Sequence, residues 1–455
     1  MNDSLKASLA FFIMFIMLLS VGFLQSWSLS LAIVNLCLIS AIMALGVNIQ
    51  WGYAGLLNVG IMGFTAIGGL AAVLISQDPV REAWQVGGYG MLISLMIVIL
   101  IVVIIIIIRK NFKNLILRRL SIFITLILGM ILLNQFFDPA VSSIEAVEPA
   151  KTGFLGGLGI PIIFSWIVGG LLAAGVAWII GKVTLGLRSD YLAIATLGIS
   201  EIIIAVLKHE DWLSRGVKNV TGLPRPVPYE VNLQSSEWFI NLIQNINKNK
   251  LSKLLEEDHQ EALRSMVIES SGIFVKLCYS GLLICVLLII LYLSNRALNS
   301  PWGRMMRSIR DNEEAANAMG KNVVKQHLQV FILGSAVVGI AGAMLTTLNG
   351  QFTPASYQPL RFTFLIWIMV IVGGSGNNLG SVLGGFFIWF LWIEAEPMSI
   401  FIMNTLTSGM SEVSIIKSHL IQSAPHLRLF IMGLVLLFTL RFRPKGLLPE
   451  KVREV

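Results

Sequence analysis

Apolar runs long enough to cross a bilayer recur along this chain, and they leave it few ways to fold. Candidate spans lie at 9–25, 30–50, 55–76, 90–108, 119–136, 160–181, 190–207, 272–294, 328–348, 358–372, 378–394 and 426–441. About 20 apolar residues, wound as a helix, match the hydrocarbon thickness of a membrane. Backbone amides in hydrocarbon must be satisfied within their own segment, so helices are the form such runs take. The expected fold is an all-α polytopic membrane protein of roughly 10–12 transmembrane helices, some of them short or broken. Charge content agrees: charged residues are 13% of the chain, against about a quarter in soluble domains. The opening stretch "MNDSLKASLAFFIMFIMLLSVG" reads as the first span and not as a leader. Its positive region is Lys6 alone, and no small-residue cleavage pattern follows.

The net charge of +8 needs no nucleic-acid partner, because cytoplasmic loops are normally rich in Lys and Arg. The turn 109–119, "RKNFKNLILRR", has five basic residues and no acidic one; 296–325 has six basic and three acidic; 441–455 has five and two. These segments are expected on the cytoplasmic side. Stretch 208–270 has eight basic and nine acidic residues, and twelve crossings place it outside with both termini inside. The expected organisation is an N-terminal transmembrane half (1–207), an extracytoplasmic loop insertion (208–270) and a C-terminal transmembrane half (271–455) containing a cytoplasmic element at 300–325. Within the insertion, "LSKLLEEDHQEALRSMV" (251–267) predicts a surface helix, and the loop is expected to lack a core of its own.

Familiar catalytic patterns are missing. Gly181-Lys182-Val183 and Gly320-Lys321-Asn322 lack both the hydroxyl and the upstream glycine of a phosphate-binding loop. Uphill transport driven by ATP would therefore need hydrolysis on another chain, and no cofactor is expected on this one. Cys37, Cys278 and Cys285 read as buried free thiols; His209 and His259 have no second ligand at helical spacing, so no metal site is expected. Glu201 in "YLAIATLGISEIIIAVL" is the main acidic residue inside a span, and Glu394 and Glu396 end another. Ion-coupled carriers place charges there, which keeps a secondary carrier or channel as the alternative.

Two glycine-rich stretches, "WGYAGLLNVG" (51–60) and "GGSGNNLG" (373–380), interrupt spans in the two halves. Unwound backbone at membrane depth belongs where it lines a path or is buried in protein, and small residues also allow close helix packing. Gly55, Asn58, Gly60, Gly373, Gly374 and Asn377, with the neighbouring Asn378, are candidate pathway residues. Thr196 and Ser200, four apart and so on one helix face, join them with Glu201.

One charged segment stands between apolar runs: "SPWGRMMRSIRDNEEAANAMGKNVVKQHLQVFILG" (300–334). Ser300-Pro301 predicts a helix start, with Met305 and Ile309 on one face and Arg304, Arg307 and Arg310 on the other. A second short helix runs through "EEAANAM" and stops at Gly320. Ala315, Ala316 and Met319 give it a shallow small-residue face.

The pattern Glu314-Ala315-Ala316-x3-Gly320 resembles the ATPase-contacting loop of permeases in ATP-binding-cassette (ABC) importers. "GLLNVGIMGFTAIGGLAAVL", "LRSDYLAIATLGISEII", "GRMMRSIRDNEEAANAMGKNVVKQHLQVFILGSAVVGIAGAML", "IMVIVGGSGNNLGSVLGGFFI" and "RFRPKGLLPE" each resemble segments of LivM-type permeases of branched-chain amino acid importers, in family order. The stretches 225–270 and 383–425 are longer than that resemblance leads one to expect. The resemblance implies a permease subunit in a bacterial inner membrane. It also implies two ABC ATPase subunits carrying ATP and Mg, a second related permease chain, an extracytoplasmic solute-binding protein and membrane lipid as partners. ATPase coupling falls on Arg304, Arg307, Arg310, Glu313, Glu314, Ala315, Ala316 and Gly320. Related permeases for urea or short amides are the nearest alternatives.

Overall fold

The computed structural model describes residues 3–252, 256–410 and 414–450. Residues 253–255 of the expected surface helix, and 451–455 of the basic tail, lie outside the described residues. The N-terminal half comprises α1 (Asp3–Leu24), α2 (Trp27–Ala54), α3 (Ile61–Ser76), α4 (Arg81–Asn111), α5 (Leu115–Glu145), α6 (Phe164–Thr184) and α7 (Ser189–His209). Four short helices follow: α8 (Asp211–Ser214), α9 (Glu230–Gln234), α10 (Glu237–Ile246) and α11 (Lys248–Leu251). Then come α12 (Glu256–Leu298), α13 (Pro301–Asp311), α14 (Glu313–Ala318), α15 (Val323–Asn349), α16 (Pro359–Gly373), α17 (Asn378–Leu406), α18 (Ile415–Ser423) and α19 (Leu427–Phe442). Among the described residues, ten helical segments are long and apolar enough to cross a membrane, and α3 and α16 are shorter apolar helices. Every span read from the sequence overlaps one of these helices.

α2 and α15 form the centre. α2 packs against α12, α15, α16 and α17, and α15 against α3 and α6. Small residues set the spacing: a Cβ on Gly46 would lie 2.8 Å from the Gly334 carbonyl oxygen, and one on Gly339 would lie 2.6 Å from that of Gly169. Lipid tails are as apolar as leucine, so close backbone packing of this kind is a main attraction between membrane helices. α4 and α5 pack chiefly on each other and turn Ile99, Ile106, Phe123 and Leu128 outward, a surface suited to an apolar surrounding.

The two ends of the bundle differ. One, the strand end, carries Val220–Thr221 paired antiparallel with Gln351–Phe352; the other, the tail end, carries α13, α14 and the chain after α19. At the strand end two expectations change. The surface helix predicted at 251–267 is, from Glu256, the first part of α12, which runs 43 residues without a break because no proline interrupts it. At 1.5 Å per residue it is about 64 Å long and extends beyond a ~30 Å apolar layer. The insertion also has an apolar cluster, in which Val227, Leu233, Phe239 and Ile243 pack on Val267, Val275 and Tyr279 of α12. Of the three thiols only Cys37 is buried; Cys278 is intermediate and Cys285 is exposed on the outer face of α12.

Candidate functional site

The glycine-rich interruptions are real helix breaks, and the fold brings them together at the tail end. α2 stops at Ala54 because Gly55 takes a left-handed conformation, φ 70°. The chain then runs without helix to Gly60, so the span expected at 55–76 begins its helix only at Ile61. Asn58 holds this turn: its Oδ1 accepts from the Gly60 N–H at 2.9 Å, and its Nδ2 donates to Gln50 Oε1 at 2.9 Å. Gln50 in turn donates to the Phe331 carbonyl at 3.0 Å and to Ser335 Oγ at 3.1 Å on α15.

The second break follows α16. Gly374 and Gly376 have φ of 118° and 82°, which only glycine tolerates well. Asn377 then caps α17 by accepting from the Leu379 and Gly380 N–H groups at 3.0 and 3.3 Å. A chain of buried amides joins the breaks. Asn48 donates to Asn378 Oδ1 at 3.0 Å and accepts from the Gly376 N–H at 2.8 Å, while Asn378 donates to Asn295 of α12 at 2.7 Å. The Trp367 indole donates to the Asn58 carbonyl at 3.1 Å.

α7 completes this knot. Thr196 Oγ1 accepts from the Val59 N–H at 3.1 Å, and Ser200 Oγ accepts from the Gly63 N–H at 2.8 Å. The shared face of these hydroxyls is observed, and it grips backbone. A Cβ on Gly60 would sit 2.5 Å from the Thr196 carbonyl oxygen. Gly55, Asn58, Gly60, Thr196, Ser200, Gly373, Gly374 and Asn377 thus belong to tightly packed junctions. Glu201 is separate from them: it is exposed on α7 and lines a wide groove that also contains Lys208.

The charged segment caps the same end. α13 starts at Pro301 and seats Gly303, Met306 and Ile309 inward, so Met306 takes the buried place expected of Met305. The three arginines do not share one surface. Arg304 is exposed, Arg307 donates to the Leu298 carbonyl at 3.2 Å, and Arg310 turns into the body. There it donates to the Gly52 carbonyl, to Glu450 at 2.9 Å and to Asp311 at 3.1 Å. Burial works against its charge, but the hydrogen bonds it donates to Glu450 and Asp311, and their negative charges, outweigh that and hold the guanidinium above its ordinary value.

Asn312 caps α14, its Oδ1 accepting from the Ala315 N–H at 2.9 Å. Gly320, at φ 76°, ends the turn after it. Glu313, Glu314, Ala315 and Gly320 are exposed and Met319 is 81% exposed, whereas Ala316 faces the body. The small-residue face expected from Ala315, Ala316 and Met319 is therefore split. The tail folds back under the second break. The Leu447 and Leu448 N–H groups donate to the Val372 and Gly373 carbonyls at 2.8 and 2.9 Å, and Asn377 donates to the Pro449 carbonyl at 3.0 Å.

Sequence reading missed Asn48, Gln50 and Asn295, the amides that join the breaks. The available signal was the placement of amides inside apolar runs, where each needs a partner. Among the described residues no group of three metal-binding side chains occurs, and His209 Nδ1 lies 2.7 Å from the Ala205 carbonyl of its own helix.

The profile of a protein family described as "Branched-chain amino acid transport system / permease component" matches residues 29–440. The chain belongs to that permease family. Among its relatives is the probable branched-chain amino acid transport permease protein LivM of Methanocaldococcus jannaschii. It is 25% identical over 181 residues, which is 40% of this chain and 49% of the relative. The high-affinity branched-chain amino acid transport system permease protein LivM of Escherichia coli is 26% identical over 285 residues, 62% of this chain and 56% of its own. The xylose transport system permease protein XylH of E. coli is 27% identical over 163 residues, 34% and 37% of the two chains. This permease thus matches only about half the length of the two LivM proteins. No solved structure matches it.

Proposed function

We propose that this permease is one of two related membrane subunits of an ATP-driven importer of branched-chain or similar small neutral amino acids. In this reading an extracytoplasmic binding protein delivers the solute at the strand end. Two separate ABC subunits, holding ATP and Mg, press on α14 at the tail end. The membrane is the inner one and both termini are cytoplasmic, following the excess of basic residues in 109–119, 296–325 and 441–455. This chain performs no chemistry of its own.

One observation carries the reading: α14 stands out from the bundle, while Arg310 next to it reaches the Gly52 carbonyl before one break and Glu450 beneath the other. A push on α14 has a short mechanical route to both breaks. The breaks are the points where the backbone departs from helix, and element-terminal segments of this kind absorb the dihedral change when domains hinge.

The test is co-purification from membranes in mild detergent. Wild type is expected to bring an ATPase subunit with it, and Glu314→Lys and Ala315→Arg, both on exposed positions, are expected to lose it. Gly320→Arg probes the same surface with added backbone strain. Uptake is then measured with leucine, isoleucine, valine, urea and xylose. A chain that purifies alone, with both variants indistinguishable from wild type, rules out the docking role.

A further inference from the structure

Two cavities adjoin at Tyr357. One is a chamber of about 230 Å³ between α2, α3, α15, α16 and α17, with Ile39, Met43, Met62, Ile366 and Trp389 in its wall. The other is an open groove of about 980 Å³ whose lining includes Glu201, Lys208, Arg361, Glu396 and Arg428. Tyr357 belongs to both walls. It sits in the short connection between α15 and α16, buried, with its hydroxyl 3.0 Å from Thr346 Oγ1. The groove keeps charges of both signs: Arg428 pairs with Glu396, and the Arg361 and Arg428 guanidiniums lie 4.9 and 4.8 Å from the Trp392 ring centre.

The chamber differs in chemistry. Most of its lining is aliphatic, aromatic or thioether, and its polar members besides Tyr357 are Ser40, Thr65, Asn349 and Ser356. Trp389 has a buried indole N–H without a hydrogen-bond partner, an uncommon condition for a buried donor. The volume is below the ~300 Å³ at which sites for drug-sized ligands begin, so the chamber suits something small. A mixed-charge surface beside a small apolar chamber matches a molecule with a zwitterionic head and a short hydrocarbon branch.

The geometry points to this pair as the solute site within the permease. The groove receives the α-ammonium and α-carboxylate of an aliphatic amino acid, the chamber receives its side chain, and Tyr357 is the partition the solute passes. This rests on the importer reading above. It places selection by side-chain size inside one permease chain, away from the packed glycine breaks. Side chains differing by one methylene are separated by roughly 10-fold or more in an apolar site of this kind.

The experiment uses the complete importer, with its partner permease, ATPases and binding protein, in lipid vesicles. Ser40→Phe fills the chamber from α2 and is expected to lower leucine uptake at least about tenfold while assembly and ATP hydrolysis persist. Ser40→Cys, in a background with Cys37, Cys278 and Cys285 replaced by alanine, is expected to react with a small methanethiosulfonate. That reaction should slow severalfold with leucine-loaded binding protein and remain unchanged with empty binding protein. Leucine uptake by Ser40→Phe at the wild-type rate overturns the assignment. So does thiol labelling indifferent to leucine, the result expected if a lipid chain fills the chamber. Should Ser40→Phe fail to fold, the labelling result decides alone. If wild type imports none of leucine, isoleucine and valine, the importer reading fails first and the chamber assignment with it.

Discussion

Arg310 and Glu450, 140 positions apart, meet at 2.9 Å under the bundle, and the same guanidinium holds the carbonyl of Gly52. One side chain thereby connects the charged α13–α14 element, the end of α2 and the tail that underlies the second break. Both partners are largely shielded, with side-chain exposures of 24% and 18%, so solvent weakens the contact less than it would a surface pair.

Arg310→Met should therefore separate binding from transport. The variant leaves a carboxylate and a carbonyl without their donor, which costs about 1–3 kcal/mol. The expected result is retained co-purification of the ATPase with severalfold slower solute uptake and a lower unfolding temperature in detergent. Glu450→Gln should be milder, since Arg310 keeps Gly52. Equal uptake by Arg310→Met and wild type removes the linkage.

The amide chain gives a second test. Asn48→Leu strands Asn378 Oδ1 and the Gly376 N–H, both buried, with an expected loss of about 1–3 kcal/mol. Asn378→Leu should cost a similar amount. The double variant should cost clearly less than the sum, because the two share one interaction. Denaturation in mixed micelles measures all three, and simple additivity contradicts the network.

Glycine substitutions should divide by what lies beyond the Cβ. Gly46→Ala would place a methyl 2.8 Å from the Gly334 carbonyl oxygen, whereas Gly281→Ala on the outer face of α12 meets nothing within 4 Å. The first is expected to destabilise by about 1–3 kcal/mol. The second should be neutral or slightly stabilising, since alanine is the better helix former by up to about 1 kcal/mol. Parallel thermal scans of the two purified variants distinguish them.

α14 has six residues and its cap is decisive for so short a helix. Asn312→Ala removes the acceptor of the Ala315 N–H, a loss of about 1 kcal/mol. If α14 docks on the ATPase in its folded form, the affinity should fall roughly fivefold while the spans stay intact. Titration of the ATPase onto immobilised permease reads this directly. Asn312→Asp, which keeps an acceptor, should restore binding.

Much of this protein is local, and local features are readable in a chain. Hydrophobic runs set the spans, because burial of each backbone amide in hydrocarbon is settled within one helix. Gly55, Gly374 and Gly376 mark the breaks, because only glycine readily takes their positive φ. Gly320 ends the α14 turn for the same reason. The surface helix read at 251–267 is helical from Glu256 on, but it is continuous with the span after it, because a polar stretch with no breaker continues any helix that follows it. What tertiary structure alone decided is who meets whom. Asn48 and Asn378 are 330 positions apart, and Arg310 turns inward while Arg304 faces solvent, though both lie on one short basic helix. The groove and chamber at Tyr357 are also spaces between helices. Such pairings follow from the angles and rotations at which helices pack, and those are set by close contacts between distant segments, so no single stretch of sequence contains them.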